Sequence, residues 1–128
     1  MEILIESTKE FEQDLEYFNN KQKFNIIKKL NQYIELMSKN KKILDRYAVK
    51  FNNIKLNTNY DSSLYSLKID KDIRIILTID DDPIFDRTVI TLFRTVKAED
   101  ALAAYISVAD SLYEDFSIEH QEIGVHSS

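Results

Sequence analysis

Between Leu64 and Ile79 two apolar alternations flank the polar triplet Asp70, Lys71 and Asp72. Tyr65, Leu67 and Ile69 recur at every second position, and so do Ile73, Ile75, Leu77 and Ile79. A period of two is the signature of a strand with one buried face. Two such strands joined by a short polar link make an antiparallel hairpin, and both apolar sets must share a face, which sets the register. A three-residue connection at Asp70 to Asp72 places Ile69 against Ile73, Leu67 against Ile75 and Tyr65 against Leu77. It also places Lys68 directly across from Arg74 on the opposite face. A two-residue turn would set Leu67 against Arg74 and mix the faces.

The rest of the chain is read around this hairpin. Leu64 to Ile69 and Ile73 to Ile79 are its strands, and Thr88 to Phe93 is a third, reached by a longer link containing Asp80, Asp81, Asp82 and Pro83. Short links between consecutive strands mean an antiparallel meander. Met1 to Glu6 alternates as a short strand, after which Ser7 and Glu10 have the spacing of a capping box. Phe11, Leu15 and Phe18 then form an apolar helical stripe, with Glu10, Glu12, Asp14 and Glu16 as a solvated acidic side. Asn19 and Asn20 interrupt the helix, and from Lys21 a second stripe follows Phe24, Ile27, Leu30, Ile34 and Met37. Phe11, Phe18 and Phe24 are core residues by this spacing. The pair makes a helical hairpin ending in the polar stretch Ser38 to Lys42. Ile43 to Leu56 fits neither period, and Asn57 to Ser63 reads as a loop. Beyond Lys97 helical spacing returns with Leu102, Tyr105, Ile106, Ala109, Leu112, Tyr113 and Phe116. The expected fold is α+β: an N-terminal helical hairpin packed on a small antiparallel sheet, with a C-terminal helix. Residues 1–116 form one domain and 117–128 a flexible polar tail.

Composition removes several function classes. With no cysteine there is no disulfide, thiolate metal site or cysteine nucleophile. One glycine and one proline in the whole chain exclude the glycine-rich loops that cradle nucleotide phosphates. A net charge of -5 argues against a surface that coats nucleic acid as a whole, but leaves room for a local basic patch. Asp80, Asp81, Asp82 and Asp86 lack the glycine and distal glutamate of a calcium loop, and Arg87 follows them, so they read as a solvated turn. His120 and His126 lie in the polar tail without a cysteine or helical partner, and no histidine precedes them to build a serine triad. No metal and no cofactor are expected. No apolar run has leader or membrane-spanning length, so a cytoplasmic protein without membrane contact is expected.

What remains is basic. Like charges opposite one another on a sheet repel, so Lys68 and Arg74 are either fully solvated or held near an anion. Arg94, at the end of the third strand, and Lys97, three residues on, bring the expected cluster to four cations at one sheet edge, a cradle for phosphate oxygens.

Leu64-Tyr65-Ser66-Leu67-Lys68-Ile69, a short turn and Ile73-Arg74-Ile75-Ile76-Leu77-Thr78-Ile79, followed by Val89 to Lys97 running into a basic corner, resemble the RelE/ParE toxin superfamily. The order of strand, helical hairpin, polar turn, meander and terminal helix is similar to that family over residues 1 to 105. The resemblance implies the toxin of a type II toxin-antitoxin pair, with a cognate antitoxin protein as partner and the ribosome and messenger RNA as target. In the ribonuclease branch the implied roles are Lys68 orienting or deprotonating the 2'-hydroxyl, Arg74 stabilising the phosphorane charge, and Lys97 or Arg94 assisting the leaving group. Tyr105 lies within one residue of where some members carry a functional tyrosine near the C-terminus. The chain departs from that branch in its acidic balance and in Ala98, Glu99 and Asp100, where many members carry an arginine. These departures favour the alternative, a noncatalytic protein-binding module of the same fold with an antitoxin or gyrase as partner.

Overall fold

The alternating segments fold as strands in the register their apolar residues demand. The computed structural model describes residues 2–40, 48–49, 64–82 and 84–112. The chain runs β1 (Glu2–Ser7), α1 (Lys9–Glu16), α2 (Asn20–Lys39), β2 (Ala48–Val49), β3 (Leu64–Lys68), β4 (Ile73–Asp82) and β5 (Arg87–Lys97). A 3-10 turn at Ala98–Asp100 leads into a helix over residues 101–112, here α3. The expectations for Ile43 to Tyr47, for Lys50 to Ser63, for Pro83, and for Tyr113, Phe116, His120, His126 and the rest of the polar tail lie outside the described residues.

In the hairpin Tyr65 pairs with Leu77, Leu67 with Ile75 and Lys68 with Arg74. The Ile69 N–H donates to the Ile73 carbonyl at 3.0 Å, closing the three-residue link. Within that link the Asp70 Oδ1 accepts from the N–H groups of Asp72 (2.7 Å) and Ile73 (2.9 Å), the local turn that aspartate forms best. Its Oδ2 accepts from Asn25 Nδ2 at 3.0 Å and ties the turn to α2.

The five strands follow the order β1-β5-β4-β3-β2. The meander β3-β4-β5 is antiparallel as expected, but β1 adds to β5 in parallel. The sheet is therefore mixed rather than antiparallel throughout. A parallel neighbour needs a long crossover, which the two helices and the meander supply. β4 and β5 also extend further than their apolar alternation. Asp80, Asp81 and Asp82 continue β4, paired with Val89, Thr88 and Arg87. The turn is then tightened by Asp82 Oδ1, which accepts from the N–H groups of Ile84 and Phe85, and by Asp86 at positive φ, a conformation aspartate tolerates. Among the described residues no acidic cluster has the arrangement of a metal site.

Strand alternation divides the core into two layers. Leu67, Ile69, Ile73, Ile75, Leu77, Ile90 and Leu92 pack with Phe11 of α1 and Ile26, Leu30 and Met37 of α2. Leu64, Ile76 and Val96, on the other face, pack under Ala101, Ala104, Tyr105, Val108 and Ala109 of α3. The helix phases differ from the expected stripes in three places. Thr8, not Ser7, caps α1, its hydroxyl accepting from the Phe11 N–H at 3.1 Å and donating to the Phe93 carbonyl at 2.9 Å. In α2 the buried line runs through Ile26 rather than Phe24 and Ile27, and Phe24 is 69% exposed. The first turn of α2 is held by a capping box of Asn19 and Gln22, and a stripe through Ile26 lies about 100° round the helix from one through Ile27. In α3 small residues face the sheet, so Leu102 and Ile106 turn outward.

Because Asp70 serves two backbone donors and Asn25, Asp70→Ala is expected to lower stability by about 2 kcal/mol, while Lys71→Ala changes it by less than about 0.5 kcal/mol. Urea unfolding of the two variants measures the difference.

Candidate functional site

α1 ends beside the C-terminal half of β5, beyond the point where β1 stops pairing with it. There the Asp14 carboxylate takes three hydrogen bonds. Arg94 donates from Nε at 2.6 Å to Oδ2 and from Nη2 at 3.1 Å to Oδ1, and the Thr95 N–H donates to Oδ2 at 3.1 Å. The two guanidinium bonds form the forked arrangement in which arginine binds a carboxylate best. The hydrogen bond to Asp14 holds the Arg94 proton more firmly than in water; burial opposes it, and the Coulombic attraction of Asp14 and Glu10 adds to it. The sequence pattern places Asp14 on the solvated side of α1, yet it is only 9% exposed. The sequence does carry a signal for it: Phe11, Asp14, Leu15 and Phe18 occupy i, i+3, i+4 and i+7, so the carboxylate stands inside the apolar stripe. A charge in that position requires a partner.

The four cations expected at one sheet edge do not converge. Lys68 and Arg74 are cross-strand neighbours, and Arg74 pairs onward with Val96, which belongs to the α3 layer. Arg74 Nη1 donates to the Asp70 and Ile73 carbonyls, steadying the guanidinium over the turn. Lys97 pairs with Ile73 and so takes the other face of the sheet. Arg94 is tied to Asp14. Tyr105 is 2% exposed, and its hydroxyl donates to the Leu64 carbonyl at 2.8 Å, which fixes α3 to β3 from within the core.

Lys97 and Arg94 instead share an open cleft between the α1-α2 junction and the end of β5. Tyr17, Phe18 and Gln22 form one wall, and Asp72, Ile73, Glu99 and Asp100 line the other side with Lys97. Thr95 lies at its base. It pairs with Ile75, two positions from the Lys97-Ile73 pair and on the same face, and its hydroxyl is buried without a hydrogen-bond partner among the described residues. The chain thus presents two distinct charged features: an accessible basic pair at Lys68 and Arg74, and a cleft in which carboxylates predominate. Neither Lys68 nor Arg74 is ion-paired to a carboxylate among the described residues.

No protein-family model and no curated protein matches the chain. Two solved structures are similar to it. The archaeal RelE-RelB complex from Pyrococcus horikoshii OT3 has a chain of 13% identity, with a TM-score of 0.48 over 76% of this chain and 96% of that one. The YoeB dimer from Staphylococcus aureus has 21% identity and a TM-score of 0.45 over 75% of this chain and 97% of that one.

The Asp14-Arg94 clasp generates a stability test. Asp14→Ala leaves the Arg94 guanidinium and the Thr95 N–H without their acceptor, so a loss of about 3 kcal/mol is expected, against less than about 0.5 kcal/mol for Glu10→Ala on the exposed side. Urea denaturation of the two variants reads it directly. Arg94→Ala should destabilise as well, and the Asp14→Ala/Arg94→Ala double variant should lose less than the sum of the two single losses.

Proposed function

We propose that this chain is the toxin component of a type II toxin-antitoxin pair and a ribosome-dependent messenger RNA interferase, with Lys68 and Arg74 meeting the scissile phosphate. The observation that carries the reading is the accessible like-charge pair on neighbouring strands, with Lys68 directly across from Arg74. Such a pair is mildly unfavourable in isolation and becomes favourable when an anion lies between its members. The resemblance of residues 64 to 97 to the RelE/ParE superfamily supplies the substrate class and the antitoxin partner.

The chemistry asked of the pair is limited. The 2'-oxygen of the substrate attacks the adjacent phosphorus, the bond from phosphorus to the 5'-oxygen breaks, and the products carry a 2',3'-cyclic phosphate and a 5'-hydroxyl. Arg74, held at Nη1 by two carbonyls, offers its remaining N–H donors to the equatorial oxygens as charge builds there. Lys68 orients the 2'-hydroxyl or takes its proton. The ribosome supplies the aligned substrate, which relieves this small sheet face of positioning the RNA alone.

Specific observations favour a second reading, a noncatalytic protein-binding module with an antitoxin or gyrase as partner. Arg94 is neutralised by Asp14, Tyr105 is withdrawn into the core, and Glu99 and Asp100 follow the last strand.

Induced expression in bacteria separates the two. Under the interferase reading growth stops and transcripts are cut in translating cells. Arg74→Ala lowers cleavage on ribosomes by about 100-fold or more while leaving the unfolding midpoint nearly unchanged. Growth arrest with intact transcripts would select the binding module, and a wild-type chain that neither arrests growth nor cuts RNA would remove the interferase assignment.

A further inference from the structure

We infer that the cleft beside the Asp14-Arg94 pair is a docking site for a basic segment of a partner protein, and that it receives one arginine or lysine side chain. This inference stands apart from the RNA chemistry assigned to Lys68 and Arg74, which use the other face of the sheet.

Charge selects the occupant. Asp14 and Arg94 neutralise each other through their forked hydrogen bonds. Asp72, Glu99 and Asp100 then line the same opening as Lys97, three carboxylates against one ammonium. A phosphate or carboxylate ligand would meet repulsion from this majority, whereas a guanidinium or ammonium would be attracted. Tyr17, on the wall of the cleft, is 88% exposed and offers a ring face on which a cation can rest.

The base of the cleft points the same way. Thr95 is 1% exposed, and its Oγ1 is buried without a partner among the described residues. Its backbone N–H is already committed to Asp14, so the hydroxyl is the group left to serve something outside the fold. A hydroxyl oxygen accepts from an N–H, which is what a guanidinium presents in several directions at once. A buried hydroxyl with no bond costs stability in the empty protein, and a donor entering the cleft recovers it. A protein segment is the fitting source because the cleft is open, so a single side chain can enter while its backbone stays in solvent.

Nuclear magnetic resonance titration of the full chain with the blocked peptide acetyl-Ala-Arg-Ala-amide tests the site, with acetyl-Ala-Glu-Ala-amide and inorganic phosphate as controls. The arginine peptide should give saturable shifts at the amides of Tyr17, Thr95, Lys97 and Glu99, and the controls should not. Combining Glu99→Gln with Asp100→Asn should weaken binding about tenfold. Thr95→Val should weaken it about threefold or more while leaving the urea midpoint unchanged or raised, because no bond within the protein is lost. Saturation by phosphate in place of the arginine peptide would overturn the inference. So would shifts scattered over the acidic surface without saturation, or a Thr95→Val protein that unfolds at clearly lower urea.

Discussion

A single carboxylate fastens the helical layer to the strand on which the whole sheet turns. β5 is the inner strand that pairs with β4 on one side and β1 on the other, but β1 ends opposite Leu92, leaving the last residues of β5 with a bare edge. Asp14 covers that edge. It satisfies the Thr95 N–H as a neighbouring strand would have done, and it recruits Arg94 to balance the charge brought into a partly buried place. Without an acceptor there, a buried N–H and a partly buried guanidinium would both go unserved, a larger penalty than the loss of any one exposed ion pair. The Thr8 hydroxyl makes the companion contact one step earlier, on the Phe93 carbonyl, at the irregularity in the β4-β5 register. Two short polar side chains at the start and end of α1 thus do what a sixth strand would otherwise do.

This economy separates the chemistry of the two faces. An arginine bound by a fork to a carboxylate contributes little field to a ligand beyond it, so a cluster counted from the sequence as four cations presents two on one face and a net negative cleft on the other. The acidic balance of the chain is therefore not a uniform coat laid over a basic site. Part of it lies where Asp72, Glu99 and Asp100 line one cleft, away from the row occupied by Lys68, Arg74 and Val96.

The hairpin register was legible because period two admits no compromise: a slip of one residue would turn Ile73, Ile75 and Leu77 away from the α1-α2 layer, and only one link length avoids it. Helix phase was less legible. Phe24, Ile26 and Ile27 are all apolar, so the pattern alone permits two faces, and the capping of Asn19 by Gln22 together with contact to the sheet selects one. α3 misleads for a related reason. Leucine and isoleucine mark its exposed side, whereas alanine, which carries a weak hydrophobic signal, allows close approach to Ile76 and Val96. Asp14 is hard to read because it stands among three other acidic residues of a solvated face, although its helical position lies between Phe11 and Phe18. The parallel placement of β1 had no sequence signal, because pairing partners so distant leave no local pattern.

That last placement bears on how the chain is made. Glu2 pairs with Arg87 and Ser7 with Leu92, so β1 leaves the ribosome well before the strand it pairs with exists. β4 and β5, separated by a short turn, can zip together as soon as both have emerged, and β3 is already at hand. Closure of so long a loop carries an entropic cost that local pairing does not, which makes docking of β1 a late event. During synthesis α1 and the apolar positions of β1 remain without their sheet, and the interval ends only when Arg94 and Thr95 have emerged to receive Asp14. A nascent chain of this topology therefore makes β1 and α1 before the meander they pack against. The contact that clasps the finished fold is also among the last that can form.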